Sequence, residues 1–145
     1  MAPAMADVVE ANKQTVARFD ALFGSDDLSS LDDLCTPDMV NHSLAPSRPA
    51  GVEGTRQFLQ HAGKSFLSDH WDQLTVIAEG DYVVQFGTRG GLWGGGPFLG
   101  VDAPAGEYSR EVAFVYRLLD RRIAERWAIR DDLTMLRQLG TFTAH

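Results

Sequence analysis

Residues 107–131, EYSREVAFVYRLLDRRIAERWAIRD, decide the fold. Val112, Phe114, Tyr116 and Leu118 fall on alternate positions, so they share one face of a strand running from Glu107 to Leu119. Asp120-Arg121-Arg122 is a compact turn, and Ile123–Asp131 is a second β-rich run, so the two form an antiparallel hairpin. On this second strand Ala124, Arg126, Ala128 and Arg130 share one face, while Ile123, Glu125, Trp127 and Ile129 share the other.

Upstream, Trp71–Ala78 and Tyr82–Gly87 read as two more strands around the turn Glu79-Gly80-Asp81, which extends the hairpin into an antiparallel meander. The first half has the period of a helix instead. Val9, Val16, Phe19 and Phe23 stripe a helix over Asp7–Phe23 that Gly24 closes, and Asp27–Leu34 is a second, short one. Met39–His42 is a brief strand, and Ser43–Gly51, with two prolines, is a loop. Val52–Leu67 is a third helix with Phe58, Leu59, Ala62 and Phe66 buried. A last helix covers Asp132–Leu139. Helices first and antiparallel strands afterwards predict an α+β fold with helices packed on one face of a curved sheet.

With 145 residues and 44% hydrophobic content, the chain suits one globular domain, residues 1–145. A formal net charge of −7 argues against nucleic acid, polyphosphate or anionic membrane as partner. The expected partner is a small hydrophobic molecule. Cys35 is the only cysteine, which leaves no disulfide framework and fits a cytoplasmic setting. The opening residues lack a signal-peptide pattern, and no apolar run reaches the length of a membrane span. No phosphate loop, dinucleotide glycine motif, nucleophile elbow or zinc-helix motif occurs. His42, His61, His70 and His145 are scattered, so no metal site is expected.

Six short motifs occur in order along the chain. They are Pro37-Asp38-x-x-Asn41-His42, Gly51-Val-Glu-Gly54, Ala78-Glu79-Gly80-Asp81, Phe98-Leu-Gly100-Val-x-x-Pro104-x-Gly106, Arg117-x-x-Asp120-x-x-Ile123-x-Glu125-x-Trp127-x-x-x-Asp131 and Leu136-Arg-Gln138-Leu-Gly140. Together they resemble the polyketide-cyclase branch of the nuclear-transport-factor-2-like superfamily, typified by the nogalonic and aklanonic ester cyclases, and are similar to a branch member that closes the indane ring of indanomycin. The resemblance implies a cone-shaped α+β barrel, usually a homodimer, around an apolar pocket. It also implies carbon–carbon ring closure on a polyketide without cofactor or metal.

The ester cyclases carry an inward histidine on the penultimate strand and an inward aspartate on the last. Alignment of the motifs puts Phe114 and Ala128 at those positions, and neither side chain moves a proton. If both point inward, so do Tyr116 and Arg126, giving an apolar chamber with a phenol and a guanidinium. Arg126 then needs a partner, for which Asp38 and Asp131 are candidates, unless it is a solvated strand end. Asn41 and His42 polarise a substrate carbonyl or satisfy the backbone of the following loop. Asp131 is a relocated base, like Asp38, or the cap of the last helix. Val112 and Trp71 join the substrate-binding set, although the direction of Trp71 is open.

Two enzyme classes and one non-catalytic class follow. The first is a cyclase that folds an apolar linear polyketide and polarises its carbonyl, with a [4+2] cycloaddition as one form. The second is a proton-transfer aldol cyclase or isomerase. The third is a small-molecule binding protein. Eight of the 14 glycines lie between Gly87 and Gly106. That stretch is longer than an ordinary hairpin connection, so residues 93–106 are expected to form a mobile lid. Trp93, Phe98, Leu99 and Val101 would meet the substrate there.

Overall fold

A computed structural model describes residues 4–142, leaving His145 outside the described residues. The elements in chain order are α1 (Met5–Asp20), α2 (Leu31–Leu34), β1 (Cys35–Asn41), α3 (Gly51–Ser65), β2 (Phe66–Glu79) and β3 (Tyr82–Trp93). They continue with β4 (Gly96–Phe98), β5 (Val101–Ala103), β6 (Gly106–Leu119), β7 (Arg122–Arg130) and α4 (Asp132–Gln138). Five strands form one sheet in the order β1-β7-β6-β3-β2, antiparallel except for the β1–β7 pair. The α+β architecture expected from the sequence is present.

The hairpin at residues 107–131 sets the register of the whole sheet. Asp120 and Arg121 both take left-handed backbone angles, φ 50° and 63°, which matches the right-handed twist of a two-residue hairpin turn. The Thr15 hydroxyl donates to the Arg121 carbonyl at 2.8 Å and ties α1 to this turn. Along β6 the side chains from Tyr108 to Leu118 alternate buried with less buried, and Phe114 sits opposite Ala128, Tyr116 opposite Arg126. Val16 and Phe19 of α1, Leu31 and Leu34 of α2, and Leu59 of α3 close over this inner face as one core.

A register shift between Arg117 and Leu118 turns Ile123 into that core, where it is fully buried opposite Cys35 of β1. Ile123 therefore leaves the outer apolar face to which alternation assigned it. β1 starts earlier than expected and carries Pro37, tolerated because β1 is an edge strand with no partner on its other side.

The larger departures are in β2 and β3. β3 runs on to Trp93 and does not stop at Gly87, and β2 begins at Phe66. Two irregularities in β2, at Phe66/Ser68 and Trp71/Gln73, press its backbone against β3. A Cβ on Gly87 would lie 2.0 Å from the Gln73 carbonyl oxygen, and one on Gly91 2.0 Å from that of Ser68. These two glycines therefore serve close strand packing, not a swinging loop. The expected lid is a built hairpin of β4 and β5: Trp93 is buried, donating its indole N–H to the Ala103 carbonyl at 3.1 Å. With Phe98, Ala103 and Tyr108 it packs on Met135 and Leu136 of α4 as a second core.

Candidate active site

Between α1, α3 and the inner face of the sheet lies a cavity of about 250 Å³. Phe19 of α1, Phe23 of the turn after it (α1 ends at Asp20, short of the expected Phe23), Phe58 of α3, and Phe66, Trp93 and Phe98 give it apolar walls. Its exposed rim includes Ala45, Pro97 and Leu99, so the mouth lies between the loop after β1 and the tip of the β4–β5 hairpin. Trp93, Phe98 and Leu99 do line the cavity; Leu99, at φ 53°, stands 63% exposed at the rim.

Arg89, Arg110 and Arg126 line the same cavity, and all three are buried. Arg89 is bracketed by Asp20, which accepts from Nη1 at 2.9 Å, and Asp69, which accepts from Nε at 2.6 Å and also from Nη2. Asp20 takes a second hydrogen bond from the Trp71 indole at 2.9 Å, and Asp69 one from the Tyr108 hydroxyl. Burial, with the Asp69 carboxylate beside it, pushes the Tyr108 phenol well above its ordinary range. Arg110 pairs with Asp132, which also holds Arg130 at 3.3 Å. Burial draws the Arg110 guanidinium down from its ordinary value while Asp132 opposes that effect.

Arg126 is held differently. Its Nε donates to the Tyr116 hydroxyl at 3.2 Å and its Nη1 to Ser43 Oγ at 2.7 Å. The guanidinium stacks on Phe114 at 4.9 Å, with Phe19 and Tyr116 at 5.5 and 5.6 Å. Burial raises the Tyr116 phenol, and Arg126 acts against that rise.

Tyr116, Arg126 and Phe114 thus come together in one chamber. Val112 is buried beside them in the core but does not reach the cavity. Trp71 faces inward, edge-on to Phe114 at 5.7 Å, and stands behind Arg89, off the cavity surface. Ala128 packs against the core opposite Phe114 and likewise contributes no surface to the cavity.

Four candidates from the sequence stand off the cavity, and for Asn41 and Asp131 it is the backbone-satisfying and helix-cap alternatives that the structure shows. Asn41 is buried outside the cavity with its amide turned to the protein: Nδ2 donates to Thr55 Oγ1 at 3.0 Å, and Oδ1 accepts from the Ser43 amide at 3.1 Å and its hydroxyl at 2.5 Å. It orients Ser43, and its position off the cavity keeps it from a substrate. His42 lies on the outer face, stacked on Trp127 at 4.9 Å and bonded to Glu125 at 2.7 Å. Asp38 is exposed on β1, away from Arg126. Asp131 caps α4, accepting from the Thr134 amide at 3.1 Å, and the Thr134 bonds hold its carboxyl below the usual range. Neither aspartate partners Arg126.

The polar residues missed from the sequence include Asp20, Asp69, Arg89, Arg110 and Ser43. Asp20 carried a readable signal, since it falls on the same helical stripe as Val16 and Phe23. Arg89 lay hidden because the strand was ended at Gly87. Burial pushes the Cys35 thiol up to about 12, so it packs as an apolar side chain. Among the described residues no cluster of three His, Cys, Asp or Glu side chains is placed to hold a metal ion, and no helix is long and apolar enough to cross a membrane.

Comparison with known proteins agrees with this architecture. The model of the SnoaL-like polyketide cyclase family matches residues 13–139. TsrD from Streptomyces laurentii is similar in structure, with 28% identity and a TM-score of 0.75 over 92% of this chain and 97% of that one. IdmH from Streptomyces antibioticus, for which a polyketide-cyclase role has been put forward, is 28% identical. It has a TM-score of 0.69 over 89% of this chain and 98% of its own. A protein from Jannaschia sp. CCS1, at 23% identity and TM-score 0.73 over 98% and 100% of the two chains, shares the fold. No functionally curated protein matches the sequence.

Proposed function

This chain belongs to the SnoaL-like polyketide cyclase family, and from that premise we propose that it closes a carbon ring on an apolar linear polyketide folded inside the cavity. The observation that carries this reading is the Tyr116–Arg126 pair, two hydrogen-bond donors held on aromatic walls in a chamber of about 250 Å³. The walls restrict a flexible chain to conformers in which the reacting carbons approach, which removes much of the entropic part of the barrier. Arg126 and Tyr116 stabilise charge that builds on a substrate oxygen as the new bond forms, and in a water-poor chamber such donors act strongly. The motif resemblance puts Phe114 where the ester cyclases carry their histidine. Ring closures with little proton transfer, such as an intramolecular [4+2] cycloaddition or a conjugate addition, suit this set of groups.

Incubation with a linear polyketide tests the reading, the expected result being a product of unchanged mass. Tyr116→Phe lowers turnover by about 10²-fold, the cost of one oxyanion donor. Wild-type turnover in both Tyr116→Phe and Arg126→Met sinks the reading.

One observation favours a second reading, proton-transfer aldol closure or isomerisation: Asp20 is a carboxylate on the cavity surface. It replaces Asp38 and Asp131 as the base of that mechanism. A turnover that shows an acidic limb and a solvent isotope effect, and that disappears in Asp20→Asn, selects it. A flat profile with an active Asp20→Asn enzyme selects templated closure.

The uncovered outer face of the sheet supports a homodimer. Tyr82, Phe86 and Ile129 are 47%, 41% and 64% exposed there, beside Val115 and Trp127. Light scattering reads the mass directly, and Ile129→Glu shifts a dimer to monomer.

A further inference from the structure

Five arginines but only two aspartates reach the cavity surface. Arg48, Arg89, Arg110, Arg126 and Arg130 line it against Asp20 and Asp69, and no lysine or glutamate adds to either side. Both aspartates are engaged by Arg89, and Asp132 lies behind Arg110 and Arg130. A chain with a net charge of −7 has thus built a cationic interior.

Of the two arginines left without a carboxylate, Arg48 is half-buried near the mouth and Arg126 is the buried one. Only 6% of it is exposed, and no carboxylate among the described residues is within ion-pair distance. An arginine does not shed its charge by losing a proton, so the burial cost stays until an anion arrives. Its protein partners are both neutral oxygens, and its Nη2 makes no hydrogen bond to any described residue. The Tyr116 oxygen accepts from Arg126, which leaves the phenolic hydrogen without an acceptor. Ser43 does not fill the gap, because its hydroxyl hydrogen is committed to Asn41. The open groups at this end of the cavity are therefore all donors around one positive charge.

We propose that the substrate carries a single anionic oxygen group, a carboxylate or the enolate of a 1,3-dicarbonyl, at the end of its apolar chain, and that Arg126 and Tyr116 seat this group. The inference rests on the reading of the cavity as the substrate chamber and adds the charge state of the molecule that enters it. A neutral ketone accepts the same hydrogen bonds but leaves the cation uncompensated. An oxyanion supplies both, through charge-assisted bonds of roughly twice the strength of neutral ones. Stacking on Phe114 and Phe19 keeps the guanidinium plane in place before the ligand binds, so little ordering is needed on binding.

Calorimetry at neutral pH with three probes tests this: 2,4-decadienoate, its neutral isostere 2,4-decadienamide, and 2,4-decanedione, whose ionisation is followed by its ultraviolet band. The expected result is binding of decadienoate about tenfold or more tighter than the amide, a preference lost in Arg126→Met and retained in Arg126→Lys. Ionisation of the dione on binding identifies an enolate as the anion; a carboxylate preference without it identifies a carboxylate. Because the discrimination is read first in the wild-type protein, a misfolded variant does not remove the test. Equal binding of acid and amide with the dione still protonated overturns the anionic substrate and leaves the apolar chamber standing. Failure of all three probes to bind overturns both.

Discussion

Arg89 and Arg126 are buried to almost the same extent, 5% and 6% exposed, and both stack on Phe114. Their surroundings differ in one respect. Arg89 is flanked by two carboxylates that are themselves held by Trp71 and Tyr108, so its charge is more than balanced before any ligand arrives. Arg126 has a phenol, a serine hydroxyl and aromatic faces, and its charge is left over. A compensated buried cation locks α1, β2 and β3 together, whereas an uncompensated one costs stability and is suited to act on a ligand. The same side chain, packed on the same Phe114 ring, is thus compensated in one case and left unbalanced in the other.

Substitution separates the two most sharply. Arg89→Met strands Asp20 and Asp69 in the interior and is expected to cost about 3–5 kcal/mol, read as a lower midpoint in urea. A loss below about 1 kcal/mol would break the assignment of a structural role. Gly91→Val tests how Asp69 is delivered to Arg89, since Gly91 pairs with Asp69 and has no room for a Cβ. It should cost more than about 2 kcal/mol without touching Arg126. Arg126→Met, by contrast, removes an unbalanced charge and is expected to leave stability unchanged or raise it by about 1 kcal/mol, while ring closure is lost. A large destabilisation would show that Arg126 also holds the fold.

Cys35 provides the finest test. Burial lifts its thiol from 9.0 to about 12. Alkylation at pH 8 therefore waits for unfolding, and it should be fast in Arg89→Met and slow in Arg126→Met. In the window from 9.0 to about 12 the folded state keeps a proton that the unfolded chain has lost, so stability falls as pH rises through it. Rapid labelling of the native protein would show that Cys35 is not buried as described.

Much of the fold was legible because period alone carries it. Alternation on β6 and β7 put Tyr116 on the face of Phe114 and separated Arg126 from Trp127, and the helical stripe put Phe19 on the buried side of α1. What failed were inferences from local composition. Eight clustered glycines suggested a loop, but Gly87 and Gly91 lie in a continuous strand where the neighbouring backbone comes too close for a Cβ. Asn41 and His42, adjacent in sequence, turn to opposite sides of β1, one spent on Ser43 and the other out against Trp127.

The sequence by itself determined an α+β fold, and it grouped Phe114 with Tyr116 and Ala128 with Arg126 on their strand faces. These depend on side-chain alternation and on which residue occupies a position, both local properties of the chain. Only the tertiary structure decided which arginine is neutralised. Asp20, Asp69 and Arg89 come from three elements and meet only once α1 and β2 close on β3. Whether a buried charge is compensated depends on distances of a few ångströms between segments far apart in the chain, which no local pattern of the sequence carries.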